Sequence, residues 1–234
     1  MTIKLGKKAL FQKEHLKYLG VMVDSHLNWK HHIQSITTKI SRSIGLMYRL
    51  RDFVNLNVLK NLYYCLIYSH IVYAIQIWGS ANLTEINKIL ILQKKAVRMI
   101  LRKDQYPQTP GPLYPSDPLF SELGILKVQA DFRIHISKFI YDCLSHSTPS
   151  MFWDWFTYNH QVHQYNTTFS STTVLQTNIL HTQSSRLVHY GGKMIKVAGQ
   201  LLWNSLPDFI RNSTSIHIFK NKLKFFLLEQ YNSE

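Results

Sequence analysis

Apolar residues recur every three or four positions along three long segments in the first hundred residues. Between Trp29 and Arg51 the apolar positions are Ile33, Ile36, Ile40, Ile44, Met47 and Leu50. This spacing predicts an amphipathic helix. A second helix is predicted from an N-cap at Asn57 to Trp78, with Gly79 just past its end. A third is predicted over Glu85 to Lys103 with a cap at Thr84.

A β-branched and aromatic run precedes the first helix. Residues Ala9 to Val23 predict a β-hairpin or strand pair, in which Gly20 suits a bulge or a close backbone approach. A turn is predicted at Asp24 to Asn28. We interpret Asp24 as the residue that closes this turn rather than as a metal ligand.

Prolines separate the two halves of the chain. Five of the seven prolines lie between Gln105 and Pro118, which predicts a connector or a domain boundary. Beyond it we expect helices near Leu119–Leu123, Lys127–Ser145 and Ser215–Gln230, with loops and short strands over Met151–Tyr190. A further segment, Lys196 to Leu206, ends in Trp203-Asn204-Ser205-Leu206 just before Pro207. The predicted fold is mainly α: an N-terminal β-hairpin (1–28), a helical bundle (29–104), a connector (105–118) and a second α-rich module with short strands and loops (119–234).

The chain of 234 residues carries a net charge of +14, which is concentrated in its first half. Up to Asp104 there are 17 Lys and Arg against 5 Asp and Glu, or +12; the remainder has 10 against 8, or +2. This excess favours a polyanionic partner, nucleic acid first and an anionic membrane surface second. We expect no small-molecule substrate.

Cations recur at helical spacing on two of the predicted helices. His31, Lys39, Arg42 and Arg49 share one face of the first helix, with Leu46 as the apolar interruption. Lys88, Lys95, Arg98 and Arg102 form a second stripe on the third helix. Such stripes are commonly only solvated faces, but two of them in one basic module favour contact with a nucleic-acid backbone.

Patterns that carry catalytic or metal chemistry are sparse in the sequence. It has no D-x-D pair, P-loop or G-x-S-x-G motif. The best histidine cluster is His160-x-x-His163 with His181 and His189, which we interpret as surface or interface histidines rather than a metal site. Cys65 and Cys143 are interpreted as reduced, buried core thiols of an intracellular protein that is not secreted.

The most apolar window, Leu62 to Trp78, falls just short of a membrane-spanning length. It contains Ser69, His70 and Gln76. We therefore predict a helix buried on all sides in a protein without a membrane partner, with membrane association as the alternative.

Several ordered motifs resemble the reverse transcriptases of LINE-type (non-LTR), jockey-like retrotransposons, downstream of their catalytic palm. They are Leu16–Val21, Asp24, Leu27, Trp29, His32-Ile33, Leu62-Tyr63, Tyr73, Trp78-Gly79, Leu92–Lys95, Pro118–Phe120, Leu123–Leu126 and Trp203–Pro207. Each motif is only moderately specific, and their order along the chain strengthens the resemblance.

The resemblance implies roles for particular residues. Lys17, Tyr18, Leu19 and Gly20 match the primer grip, and the helices from Trp29 to Lys103 match the thumb that lies along the primer–template duplex. The partners implied are an RNA–DNA or other nucleic-acid duplex and the rest of a reverse transcriptase. Where relatives show His-x-Tyr followed by Thr-Arg, this chain has His163-Gln164-Tyr165 followed by Asn166-Thr167-Thr168.

The polymerase carboxylates of that family lie upstream of the primer grip. We therefore expect this chain to correspond to the C-terminal part of such an enzyme, to hold no cofactor of its own and to be inactive alone, with Mg²⁺ expected only in the palm. The alternative function is a helical protein-interaction scaffold that packs on the palm without binding nucleic acid itself.

Overall fold

A computed structural model describes residues 3–5, 8–10, 13–102, 115–162, 178–182 and 194–232. The chain divides into two compact units, residues 1–116 and 117–234. The mainly α fold with a β-hairpin near its start is confirmed. The predicted connector at 105–118 falls mostly outside the described residues.

Two antiparallel hairpins open the first unit. Strands β1 (Ile3–Leu5) and β2 (Lys8–Leu10) pair with each other, and β3 (His15–Tyr18) pairs with β4 (Val21–Asp24). The turn of the second hairpin lies at Leu19-Gly20, so Gly20 lies in a turn rather than in a bulge. All four residues of β3 are exposed, whereas β4 is partly buried against the first helix.

Asp24 connects this hairpin to helix α1 (Lys30–Leu50). Its carboxylate accepts hydrogen bonds from the backbone N–H groups of His26, Asn28 and Trp29, at 3.1, 3.1 and 2.8 Å. Although burial favours the neutral acid, these N–H groups hold the pKa of Asp24 below its usual value. The predicted turn role of Asp24 is therefore confirmed.

The predicted apolar face of α1 forms the core of the first unit. Ile33, Ile40 and Met47 are fully buried, and α1 packs against helix α5 (Leu83–Ile100). Burial of one such isoleucine contributes about 2 kcal/mol to folding. Trp29, which precedes α1 with φ +64, is buried as well, so it is a core residue.

The second predicted helix is broken into several segments. It begins with Asn55, not Asn57, as its N-cap: the Asn55 side chain accepts from the Val58 N–H at 3.0 Å. The segments are α2 (Leu56–Tyr63), a π-helical stretch (Tyr64–Tyr68), α3 (Ser69–Val72) and α4 (Ile75–Trp78). Between α3 and α4, Ala74 adopts a left-handed conformation, which costs about 1 kcal/mol for a residue with a Cβ.

Burial around this broken helix also differs from the prediction. Tyr63, Ile67, Ile71 and Trp78 form a buried stripe, while another side of the segment is exposed. Cys65 lies on that exposed side, so its prediction as a core thiol is wrong. No described helix is long and apolar enough to cross a membrane.

Helix α5 begins two residues before its predicted start. Its N-cap is Asn82, so the predicted cap at Thr84 is wrong. Gln93 lies on the buried side and donates from Nε2 to the Tyr63 hydroxyl at 2.9 Å. This bond links α5 to α2 through the core.

The second unit contains six helices among its described residues: α6 (Asp117–Leu123), α7 (Val128–Leu144), α8 (Asn159–Val162), α9 (Ile195–Asn204), α10 (Asp208–Arg211) and α11 (Ile216–Glu229). Short 3-10 turns lie at Ser150–Trp155 and Gln230–Asn232. Cys143 is buried, as predicted, and burial raises the pKa of its thiol.

The segment Asn178–Leu180 is held by the end of α9. The Asn204 carboxamide accepts from the Leu180 N–H and donates to the Leu180 carbonyl, both at 2.8 Å. Trp203 Nε1 and Arg211 Nη1 both donate to the Asn178 carbonyl, at 3.1 and 3.2 Å. The Trp203-Asn204 motif therefore builds the core of the second unit.

Candidate nucleic-acid interface

Lys39, Arg42 and Arg49 are all exposed on the outer side of α1, and we call them the α1 cationic face. At 1.5 Å per residue they extend over about 15 Å of the helix. Among the described residues no carboxylate lies within 4.0 Å of any of the three. Gly45 and the exposed Leu46 lie between Arg42 and Arg49, and a Cβ built on Gly45 would meet no atom within 4 Å.

The Lys39 end of this face lies close to the broken helix. Ser43 of α1 donates from Oγ to the Leu66 carbonyl at 3.0 Å. Burial, together with the positive charge of Lys39, lowers the pKa of His70 in α3. His70 is therefore neutral near pH 7, and the cationic character at this point comes from Lys39.

His31 begins the predicted α1 stripe in different surroundings. Its ring stacks on the His15 ring with centroids 4.2 Å apart, and its Nε2 lies 3.8 Å from the Glu14 carboxylate. The side chain is only partly exposed. His31 therefore joins the base of the hairpin to α1, while the three cations farther along the helix remain in solvent.

The α5 cationic face, made of Lys88, Lys95, Arg98 and Arg102, is partly engaged within the protein. Lys88 Nζ pairs with the Glu85 carboxylate at 2.7 Å. Arg102 lies beyond the end of α5, where its Nη2 donates to the Arg51 carbonyl at 3.0 Å and its Nη1 lies 3.9 Å from Asp52. Lys95 is exposed and Arg98 is half-buried.

The two cationic faces lie on separate outer sides of the bundle. Helices α1 and α5 pack together through their buried residues, and the cations occupy the opposite side of each helix. The structure groups the predicted residues into two surfaces rather than one.

The four hairpin residues that the resemblance singles out are all exposed. Tyr18 and Leu19 have 64% and 75% of their surface accessible, so both side chains are open to solvent. Lys17 is exposed on the same strand. Leu19 and Gly20, which we call the hairpin turn, both have positive φ, at 44° and 84°.

Two contacts that the sequence analysis missed fix this hairpin. His32, buried in α1, accepts a hydrogen bond at Nδ1 from the Met22 N–H at 3.3 Å. Burial, with the charge of Lys39, lowers the pKa of His32 to about 4. Tyr73, at the end of α3, donates its hydroxyl to the Leu19 carbonyl. In the sequence, the only indication of these two contacts is that His32 and Tyr73 belong to the motifs shared with the family.

The predicted histidine cluster is only partly described. His160 stacks on Tyr158 with ring centroids 5.5 Å apart, and the His181 N–H donates to the Thr157 carbonyl. His163 and His189 lie outside the described residues. Within the described part of the chain, no three His, Cys, Asp or Glu side chains are grouped so as to hold a metal ion.

Comparison with known proteins relates part of the chain to polymerases of mobile elements. A stretch of 111 residues, 46% of this chain, is 32% identical to the "RNA-directed DNA polymerase from mobile element jockey" of Drosophila funebris. The protein of the same name from Drosophila melanogaster is 30% identical over 111 residues. The matched stretch covers 12% of the length of each relative.

No protein-family model matches the chain, and no solved structure matches it. The two polymerase matches nevertheless agree with the resemblance that the ordered motifs indicated. The chain is similar to a fragment of a jockey-like, LINE-type reverse transcriptase.

Proposed function

We propose that this chain binds the sugar–phosphate backbone of a primer–template RNA–DNA duplex through the α1 cationic face, as the thumb of a reverse transcriptase does. The observation that carries the proposal is the presence of three exposed cations on one face of one helix, Lys39, Arg42 and Arg49. Exposed Lys and Arg contact phosphates without reading bases, so the expected binding is independent of sequence.

The shape of a hybrid duplex suits a helix face of this kind. Its A-like major groove is deep and narrow, so a protein contacts mainly the backbone and the shallow groove. A face about 15 Å long is long enough to contact several successive phosphates of one strand. The absence of a side chain at Gly45 leaves room for a strand to approach between Arg42 and Arg49.

The hairpin turn is the second part of the proposed interface. Tyr18 and Leu19 are exposed and are tied to the start of α1 through His32 and Asp24. In this arrangement, a duplex that lies along α1 has its end near the turn. A primer grip holds the end of the primer in the same way. We assign no catalytic residue and no metal to the chain, and we place Mg²⁺ in the palm of the polymerase.

The test is binding of a fluorescein-labelled RNA–DNA hybrid, followed by anisotropy, to a variant with Lys39→Glu, Arg42→Glu and Arg49→Glu. We expect the affinity to fall by at least a hundredfold at about 0.1 M salt, because three attractive contacts become repulsive. Circular dichroism checks that the variant remains folded.

A charge-matched control separates the face from net charge. Lys196→Glu, Lys220→Glu and Lys224→Glu make the same change of charge on helices α9 and α11 of the second unit, where Lys220 and Lys224 are exposed. We expect this control to lose less than about fivefold, since it lowers the net charge equally but keeps Lys39, Arg42 and Arg49. Equal losses in the two variants would contradict the proposal.

A second candidate function is a helical scaffold that packs on the rest of the polymerase. Large apolar side chains favour it: Phe53 and Ile91 have 85% and 64% of their surface exposed. Under this alternative the wild-type chain does not bind hybrid even at low salt, and Phe53→Ser with Ile91→Ser raises solubility. Tight, salt-sensitive hybrid binding would instead favour the thumb-like function.

A further inference from the structure

The helix that precedes α5 is interrupted at Tyr73 and Ala74 although neither residue is proline or glycine. Tyr73 is extended, with ψ 116°, and Ala74 is left-handed, with φ 52°. The Ile77 N–H bonds to the Ala74 carbonyl, so the Tyr73 carbonyl has no partner in the helix ladder. Trp78 Nε1 donates to that carbonyl at 2.8 Å, which satisfies it.

This interruption directs the Tyr73 side chain to the hairpin turn. The Tyr73 hydroxyl donates to the Leu19 carbonyl across 54 positions of sequence. The contact is between α3 and the turn of β3–β4, two elements that are otherwise far apart in the chain. It therefore fixes the tip of the hairpin, while Asp24 and His32 fix its base.

Gly20 fits the ring of Tyr73 closely. A Cβ built on Gly20 would lie 3.2 Å from Tyr73 Cε1 and 3.3 Å from Tyr73 Oη. Its φ of +84° is also a conformation that other residues rarely adopt. Both the backbone conformation and the close approach of the tyrosine ring therefore require glycine at this position.

We propose that Tyr73 is a positioning residue that sets the hairpin turn against a bound duplex, so that Tyr18 and Leu19 contact its terminal base pair. This inference rests on the proposed function. Tyr73 acts through the Leu19 carbonyl and the surface of Gly20, and it keeps the turn in one orientation relative to α1. A turn tied only at its base would move, and its contact with the duplex end would be lost.

The first test needs no nucleic acid. Tyr73→Phe removes only the hydroxyl, and amide hydrogen exchange at Tyr18 and Val21, the strand pair that closes the turn, should become roughly tenfold faster when that one hydrogen bond is lost. The matched control is Tyr141→Phe, which removes a tyrosine hydroxyl that donates to the Ser213 carbonyl in the second unit. Unchanged exchange at the turn in Tyr73→Phe would overturn the proposal.

The second test uses an RNA–DNA hybrid with 2-aminopurine at the 3′-terminal position of the DNA strand, or at an internal position. In Tyr73→Phe we expect the terminal fluorescence change on binding to fall at least threefold, while the internal change and the overall affinity stay within about twofold. A purely structural role for Tyr73 would alter both positions alike or neither, and either result would overturn the proposal.

Gly20→Ala provides an independent variant, because its added methyl group displaces the Tyr73 ring. Its control is Gly124→Ala: Gly124 also has a positive φ, of 62°, but a Cβ there meets nothing within 4 Å. Only Gly20→Ala should reduce the terminal fluorescence change; equal effects of the two variants would overturn the proposal.

A wild-type chain that binds no hybrid refutes the proposed function and the role of Tyr73 together. The contrary results described above for the Tyr73 and Gly20 variants refute the role of Tyr73 alone.

Discussion

The outer sides of α1 and α5 carry cations in the same register but in different surroundings. Arg42 and Arg49 are seven residues apart, as are Lys88 and Lys95, so each pair lies two turns apart on one side of its helix. Both pairs flank an exposed position at identical spacing, occupied by Gly45 on α1 and by Ile91 on α5.

The difference between the faces comes from neighbouring residues. On α5, Lys88 has Glu85 one turn before it, and Arg102 is bound to the loop after α1. On α1, no carboxylate of the described residues lies within ion-pair distance of Lys39, Arg42 or Arg49. Spacing therefore identifies a face, while its neighbours determine whether the cations are available to a polyanion.

The largest expected difference is in the salt dependence of hybrid binding. Lys39→Ala, Arg42→Ala and Arg49→Ala should lower the slope of log affinity against log salt by about 3, because each lost phosphate contact removes about 0.9. At about 0.1 M salt this corresponds to a loss of roughly a hundredfold or more. Anisotropy titrations between about 0.05 and 0.3 M salt measure both quantities.

The same substitutions on α5 provide the comparison. Lys88→Ala, Lys95→Ala and Arg98→Ala should change the slope by less than about 1. An equal loss on the two helices would show that the α1 and α5 cationic faces both contact the duplex.

The inner sides of the two helices should differ in their response to pH. Between α1 and the hairpin lies His32, whose folded pKa is about 4, whereas α5 has the non-titrating Gln93 in its core. An unfolded histidine titrates near 6.5, so the unfolded chain binds more protons between these values. The contribution of His32 to the free energy of unfolding is therefore complete above about pH 6.5. It is lost as the pH falls toward 4.

From pH 7 to pH 5 this histidine should remove about 2 kcal/mol from the free energy of unfolding. Denaturant titrations at each pH measure the change. His32→Asn keeps an acceptor for the Met22 N–H and does not titrate, so most of the dependence should disappear. His70 contributes in the same direction and more weakly, since it is less buried. A dependence unchanged in His32→Asn would contradict this assignment.

Gly45 and Ile91 allow the same charge to be inserted at the same register on both faces. Gly45→Glu should weaken hybrid binding by about tenfold, because a carboxylate there faces the phosphates that Arg42 and Arg49 contact. Ile91→Glu should weaken it by less than about twofold. Equal effects would argue against a duplex on α1 alone.

Gly45→Ala is the stability control for that comparison. An exposed helical glycine with open space around its Cα gains about 0.5 to 1 kcal/mol on replacement by alanine. Hybrid affinity should stay within about twofold, because a methyl group adds no charge. Thermal unfolding and anisotropy on the same sample check both expectations, and a large loss of affinity would indicate a very close approach of the strand.

The smallest effect is expected at Arg102. Arg102→Ala removes the hydrogen bond to the Arg51 carbonyl and the pairing with Asp52, and should lower stability by less than about 1 kcal/mol because the side chain is largely exposed. Its effect on hybrid affinity should be below about twofold, as measured by anisotropy. A larger loss of binding would show that Arg102 contacts the duplex in place of the loop.

The features that depend on local pattern were predicted well from the sequence. The isoleucine spacing identified α1 and its buried face, and the cation spacing placed Lys39, Arg42 and Arg49 on its solvent side. The β-branched run identified the hairpin. Each of these features follows from the periodicity of a single element.

The features that depend on distant residues could not be predicted in this way. The break after α3 involves Tyr73 and Ala74, which have no helix-breaking chemistry; it depends on Leu19 and Trp78, contacts that only the folded chain creates. The engagement of Arg102 within the protein likewise depends on its contacts with Asp52 and the Arg51 carbonyl. The Asn55 and Asn82 caps were missed because a later Asn or Thr fitted the same local rule.

In the second unit, side chains of α9 and α10 bind main-chain groups of the segment Asn178–Leu180, and this affects which residues can be substituted there. Trp203, Asn204 and Arg211 hold carbonyl and N–H groups of Asn178 and Leu180, which every amino acid except proline supplies. These bonds therefore place little demand on the identity of the side chains, whereas the fully buried Leu180 is constrained by its side chain as well.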